Sequence, residues 1–282
     1  MNPNRSGYPA DSLSVTQLNL YLMCPLKFRF QYVDRLPKPF KPVALVFGGA
    51  IHSAIEWWHR KRMESYDPEP KEVVRIFRAD FHAQKTGEIA YKNGDTEEDL
   101  FDKGGRMLAV YVRECRGGPV KQIELPFRVP LIDKETGETL DLPLYGYIDL
   151  LEADGTVVEL KTSGKAFSPI EIAQHLQLTG YSYAYEQLYG RPPRLRLDCL
   201  TKTRNPALIE YDAVRTTDDH VRFFHMAKSV VSAARNCQYY PRPGWQCSDC
   251  EYFEPCQKWR SDDSIQPRRS VNANRTLVTH VT

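Results

Sequence analysis

Hydrophobic and polar positions change period along this chain. Up to about residue 116, apolar residues recur three and four apart, the spacing of one helical face. Ser14-Val-Thr-Gln17 is a capping-box pattern that opens a helix through Leu18, Tyr21 and Leu22. Pro25 predicts a kink or restart. The stretch from Leu36 to Pro42 carries three prolines and reads as a loop. A second helix is expected from about Gly49 to Tyr66, with Ile51, Ile55, Trp58 and Arg62 along one face. Two more are expected around Lys71 to Lys85 and Thr96 to Arg116, the latter weakened by Gly104-Gly105.

The middle of the chain alternates instead. Ile123, Leu125, Phe127 and Val129 predict a strand, Leu142 to Glu152 a second, and Thr156 to Thr162 a third. Ser168, Pro169 and Glu171 then form a strong helix start, and this helix should run to Leu188 and stop at Gly190. Strands at Arg194 to Thr201 and Ala207 to Val214 and a helix from Thr217 to Asn236 complete the order. The expected fold is α/β: a mixed central sheet flanked by helices, with an N-terminal helical region and a C-terminal cysteine-rich loop. One domain should span residues 14–260, with a helical part at 14–118, a sheet core at 119–214, and a helix plus loop at 215–260. Residues 1–13 and the polar stretch 261–282 are expected to be flexible.

Composition adds bounds rather than a function. The chain has 282 residues, 41% of them hydrophobic, enough for a real core. Charge is balanced at +2, which neither requires nor excludes a nucleic-acid partner, because a basic groove can sit in a neutral protein. No apolar run approaches the roughly 20 residues that span a bilayer, and the N-terminus lacks the apolar stretch of a signal peptide. A soluble, cytoplasmic protein is expected. In a reducing compartment the seven cysteines are better read as metal or cluster ligands than as disulfides.

The candidate chemistry lies in Gly146-Tyr-Ile-Asp149 and Glu159-Leu-Lys161. Residues two apart on a strand share a face, so Glu159 and Lys161 point together and Leu160 points into the packing. Asp149 joins them only if the intervening turn has the right length. A three-residue loop, Ala153-Asp154-Gly155, puts Asp149 opposite Glu159; a two-residue loop would put it opposite Leu160. The odd-length loop, or a compensating bulge, is therefore expected. Two adjacent carboxylates are oxygen ligands for Mg²⁺ or Mn²⁺, and a neighbouring lysine can steady charge developing on a phosphate. On the second helix His52 and Glu56 share a face, and His52 can offer a further metal ligand. Gln177 and Tyr181 share a face of the helix after the hairpin, where the glutamine can hold water or phosphate and the tyrosine can meet DNA.

A second constellation is Cys247-Ser-Asp-Cys250 followed by Cys256. Cys24, at the Cys-Pro kink, is the best fourth ligand; Cys237 is nearer in sequence, while Cys115 and Cys199 read as ordinary helix and strand residues. Four thiolates suit a structural zinc or an iron–sulfur cluster.

Taken in order, these motifs resemble the RecB-like branch of the PD-(D/E)XK nucleases. The likeness runs from about Ser14 to Gln257. It covers the segment beginning at Leu20, Gly49 to His52, Gly146 to Asp149, Glu159 to Lys161, Gln177 to Tyr181, and the Cys247, Cys250, Cys256 loop. The resemblance implies a restriction-endonuclease-like core and metal-dependent DNA cleavage. It implies Asp149, Glu159, Lys161 and Gln177 as catalytic residues, and His52, Asp149, Glu159 and the Leu160 backbone carbonyl as ligands of Mg²⁺ or Mn²⁺. It also implies a [4Fe–4S] cluster on Cys24, Cys247, Cys250 and Cys256, as in cluster-bearing Cas exonucleases and the AddB nuclease domain, with structural zinc as the alternative. The chain departs from the pattern in two places: no proline precedes Asp149, and Leu150 stands where relatives often carry a basic residue.

The substrate expected is DNA, single-stranded or with free ends. Tyr181 and Lys165 are the favoured contacts; Tyr183, Tyr185, Lys27, Arg29, Arg191, Arg194, Lys202 and Arg204 are further candidates. No G-x-x-x-x-G-K-[ST] string is present, so unwinding would need a helicase, recombination or CRISPR partner in trans. The alternative from another class is a non-catalytic DNA-binding or adaptor protein that keeps the fold.

Overall fold

The computed structural model describes residues 8–92 and 94–260. Helix α1 (Val15–Met23) starts from Ser14, whose side chain and that of Gln17 exchange hydrogen bonds with each other's backbone as the capping box requires. Cys24 is extended, and α2 (Pro25–Phe28) restarts with proline in its first turn, where no amide is needed. A π-turn (Arg29–Val33) follows. A short strand β1 (Lys41–Pro42) leads into α3 (Val43–Met63), longer at its N-terminus than expected, and then α4 (Pro70–Gln84). Strand β2 (Ile89–Ala90) pairs with β1. Helix α5 (Glu97–Glu114) runs uninterrupted through Gly104, where a Cβ would stand 2.4 Å from the Phe77 ring. That glycine serves the close packing of α4 on α5 and does not break the helix.

The hairpin β3 (Val120–Ile132) and β4 (Thr139–Glu152), then β5 (Thr156–Ser163), β6 (Arg194–Thr201) and β7 (Leu208–Ala213), form a mixed sheet in the order β3-β4-β5-β6-β7. Within this sheet only β5 and β6 are parallel, and the crossover between them holds α6 (Pro169–Ala173) and α7 (Leu176–Tyr189). Helix α8 (Thr217–Arg235) and a short α9 (Phe253–Gln257) complete the chain. This is the expected α/β, restriction-endonuclease-like arrangement. One face of the sheet packs on α3, α4 and α5 through Leu150, Val158, Leu160 and Leu200. The other packs on α1, α7 and α8 through Leu125, Ile148, Leu151 and Val157.

The helix expected from 168 to 188 is broken. Buried Arg215 donates to the carbonyls of Ile172 (2.8 Å) and His175 (3.3 Å) and to Thr179 Oγ1 (2.7 Å). The carbonyls freed by ending α6 thus find a cation, and α7 restarts from His175. The stretch expected to be flexible at 1–13 is anchored at its end: Leu13 is fully buried, and its amide bonds to Pro143 O at 2.9 Å beside β4. Residues 1–7 and 261–282 lie outside the described residues. Among the described residues no helix is long and apolar enough to cross a membrane.

Candidate active site

The register of β4 on β5 pairs Leu150 with Val158 and Leu151 with Val157. Continued one residue each way, it sets Glu152 opposite Thr156 and Asp149 opposite Glu159, with residues 153–155 as the loop. Gly155 takes φ +92°, in the left-handed region, and its amide bonds to Glu152 O at 3.0 Å. The short turn thus brings the two carboxylates together.

Asp149 lies at an irregularity that alternation did not predict. Leu125 and Ile148 face the α1/α7/α8 core, whereas Ile123 and Leu150 face the α3/α5 core. Both strands of the hairpin turn over at the Glu124–Asp149 position, where Glu124 has φ +50°. A non-glycine residue there is strained by about 1–3 kcal/mol. The turnover leaves Asp149 within reach of helices on both faces. From α3, His52 Nε2 meets Asp149 Oδ2 at 3.0 Å, while Nδ1 meets Glu56 Oε1 at 2.9 Å. From α7, the Tyr181 hydroxyl donates to Asp149 Oδ1 at 3.0 Å. The Leu160 amide donates to Asp149 Oδ2 at 2.8 Å.

Glu159 has no exposed surface, and neither of its oxygens finds a hydrogen bond of ordinary geometry. Its partner is the Lys161 ammonium, in close ion contact. Lys161 Nζ also donates to Gln177 Oε1 at 3.0 Å, and Gln177 Nε2 donates to the Tyr181 hydroxyl at 2.9 Å. A continuous chain therefore runs Glu159, Lys161, Gln177, Tyr181, Asp149, His52, Glu56. These groups, except Tyr181 and Glu56, line a cleft of about 590 Å³ together with Gly48, Gly49, Ser53, Gln84, Thr162 and Lys202.

Electrostatics match that crowding of acids. Burial, then the charge of Asp149, pushes Glu159 up to about 8. Asp149 is also buried, but the His52 hydrogen bond and charge, Lys161 and the Leu160 amide hold it below the usual carboxylate range. Burial alone would lower His52; hydrogen bonds and charge from Asp149 and Glu56 raise it to about 10. Such a set lacks positive charge. A divalent cation would supply it, replacing the protons on His52 and Glu159, and the donors (two carboxylates and an imidazole) suit Mg²⁺ or Mn²⁺.

Some sequence expectations find a different place. Tyr181 is 3% exposed and Tyr183 and Tyr185 are no more open, so none offers a face for a base to stack on. Tyr181 presents its hydroxyl to Asp149 instead. Lys165 is exposed and pairs with Glu171 at 3.0 Å, outside the cleft lining. Lys27 is tied to Glu251 and Arg29 to Asp34. Nothing local in the sequence marks Glu124 as a site residue. Yet among the described residues the tightest group of metal-ligating atoms is His52, Glu56 and Glu124, within 4.8 Å of one another.

The four cysteines Cys24, Cys247, Cys250 and Cys256 line a separate cavity of about 370 Å³. It lies where the end of α1 meets the C-terminal loop. Tyr21 donates to Gln238 O at 2.6 Å, and Leu26 N to Tyr240 O at 3.0 Å. Leu26, Phe30 and Tyr252 pack beneath it. Cys199 is buried in the sheet and Cys237 is exposed.

Residues 12–257 match the family model of the PD-(D/E)XK nuclease superfamily. The fold is similar to that of a proposed exonuclease from Eubacterium rectale, at 14% identity and a TM-score of 0.56, covering 100% of this chain and 94% of that one. The protein SSO0001 aligns at 15% identity over 84% of this chain and 92% of its own, with a TM-score of 0.35. No curated protein sequence matches the chain.

Proposed function

Because the chain belongs to the PD-(D/E)XK nuclease superfamily, whose members are metal-dependent nucleases, we propose that it is a RecB-like deoxyribonuclease acting as an exonuclease on single-stranded DNA ends. Recombination, repair, phage DNA processing or CRISPR adaptation would supply such ends, in the cytoplasm, with any helicase acting in trans. The observation that carries this reading is the fully buried Glu159 carboxylate set beside Asp149 and Lys161 in the wall of the cleft, with no hydrogen bond of ordinary geometry to its oxygens.

In this reading His52, Asp149, Glu159 and the Leu160 carbonyl hold Mg²⁺ or Mn²⁺. When bound, the ion supplies Lewis acidity toward the phosphate. Lys161 sets its ammonium against the attacking water and the charge growing on the phosphate. Gln177 keeps that ammonium in place through the 3.0 Å bond to its Oε1. The water oxygen bonds to phosphorus as the bond to the departing nucleoside oxygen breaks; the water gives up one proton to solvent, and the departing oxygen takes one up from it.

The four cysteines are read as holding a [4Fe–4S] cluster. All four line one cavity, and four thiolates suit such a cluster, with a structural zinc as the alternative. End-labelled DNA incubated with Mg²⁺ or Mn²⁺ should shorten from its ends, and Asp149→Ala or Lys161→Ala should stop this; cleavage that survives both changes overturns the site. Anaerobically purified protein should contain iron and sulfide, and Cys24→Ala should lose both and melt lower. A colourless protein with one zinc would overturn the cluster.

A further inference from the structure

Lys202 lines the same cleft as Asp149, Glu159 and Lys161 but shares none of their contacts. It directly follows β6, and its backbone amide bonds to Ser163 O at 2.6 Å. This fixes it beside the end of β5, about 7 Å of strand beyond Lys161. Lys161 is committed to Glu159 and Gln177. Among the described residues the Lys202 ammonium meets no carboxylate and no hydrogen-bond acceptor. The charged group nearest in effect is another cation, Lys103 on α5. Burial first, and Lys103 second, hold Lys202 below the usual lysine range. Gly48 and Gly49 also line the cleft; a Cβ on Gly48 would stand 3.5 Å from Thr162 Oγ1, and one on Gly49 would meet the Gln84 side chain at 2.6 Å.

A half-buried cation that feels the charge of a second cation and, among the described residues, meets no anion is a net cost to the fold. Costs of this kind concentrate where a ligand supplies the missing charge. We infer that Lys202 grips a backbone phosphate of the DNA strand, adjoining the phosphate under attack. The inference rests on the nuclease reading and deepens it. Lys161 serves the reacting phosphate, and Lys202 holds the strand on the β6 side of the cleft, so that the reacting bond lies over Asp149 and Glu159.

The test is binding of a fluorescent oligodeoxythymidine, read by anisotropy over a salt series with calcium in place of magnesium. Lys202→Gln should bind about five- to tenfold more weakly at low salt. Its log–log salt slope should be shallower by about 0.7, the counterion release of one single-strand phosphate contact. Lys202→Arg should keep both affinity and slope. Lys202→Gln should also melt at or above the wild-type temperature, because an unpartnered charge has been removed; a purely structural role would lower it. A wild-type protein that cleaves DNA while Lys202→Gln keeps the full slope overturns this inference alone. A wild-type protein that neither binds nor cleaves overturns the nuclease reading.

Discussion

Tyr181→Phe separates two roles that the residue could play. The substitution removes one hydroxyl and leaves the ring, which packs edge-on to Phe127 with centroids 6.2 Å apart. The hydroxyl stands between Gln177 Nε2 at 2.9 Å and Asp149 Oδ1 at 3.0 Å. A hydrogen bond to a carboxylate contributes about 1.5–3 kcal/mol. The Gln177 amide loses its acceptor as well, but it lines the cleft, where water can replace the bond. A net loss of about 2 kcal/mol is expected, which for a chain of this size lowers the melting temperature by about 4–8 °C. With Gln177 loosened, Lys161 loses its tether, and kcat should fall about tenfold, or about 1.4 kcal/mol of barrier. Single-stranded DNA affinity should not change, because the ring is buried. Thermal melts in EDTA and oligonucleotide anisotropy measure the two arms. An unchanged melting temperature with clearly weaker DNA binding would refute the reasoning and return Tyr181 to the DNA interface.

Other expected outcomes follow from the turn and from a buried base. Deleting Ala153 leaves a two-residue Asp154-Gly155 loop between the same flanking pair, Glu152 and Thr156, so Asp149 should stay opposite Glu159 and Mn²⁺ binding should persist with native far-UV circular dichroism; lost binding with the fold intact would show that the pairing needs the three-residue loop. Gly155→Ala should destabilise by about 1–3 kcal/mol, since φ is +92° and a Cβ would stand 2.8 Å from the Tyr185 hydroxyl; an unaltered denaturation midpoint would contradict this. His220 is buried and accepts from Lys134 Nζ at 2.7 Å, so burial and that charge lower it to about 4. The folded state therefore binds fewer protons than the unfolded chain between about 4 and 6.5. This favourable contribution is complete above the unfolded value and is lost as pH falls through that window, by about 3 kcal/mol at most. His220→Gln should flatten the stability curve between those values, and equal slopes for the two proteins would disprove the assignment.

Much of the frame was legible because its signals are local. Ser14, Ser168 and Thr216 cap helices through bonds to residues three positions on. Alternation marked β3 to β7. Legibility failed where a distant group intervened. Arg215, some forty positions away from Ile172 and His175, breaks the helix after Ala173. Gly104 reads as a helix breaker until Phe77 is found against it.

The same division runs through the site. Turn length and strand period, both properties of consecutive residues, determined that Asp149 faces Glu159 and that Lys161 shares the side of Glu159. Only the tertiary structure decided what surrounds them. Tyr181 is buried against Asp149 rather than open to DNA, Glu124 joins His52 from a neighbouring strand, and Lys202 enters the cleft just after β6 with no counter-charge among the described residues. Backbone preference acts over a few residues, whereas burial and charge are set by elements brought together from far apart in the chain, as with His52 and Asp149, 97 positions apart.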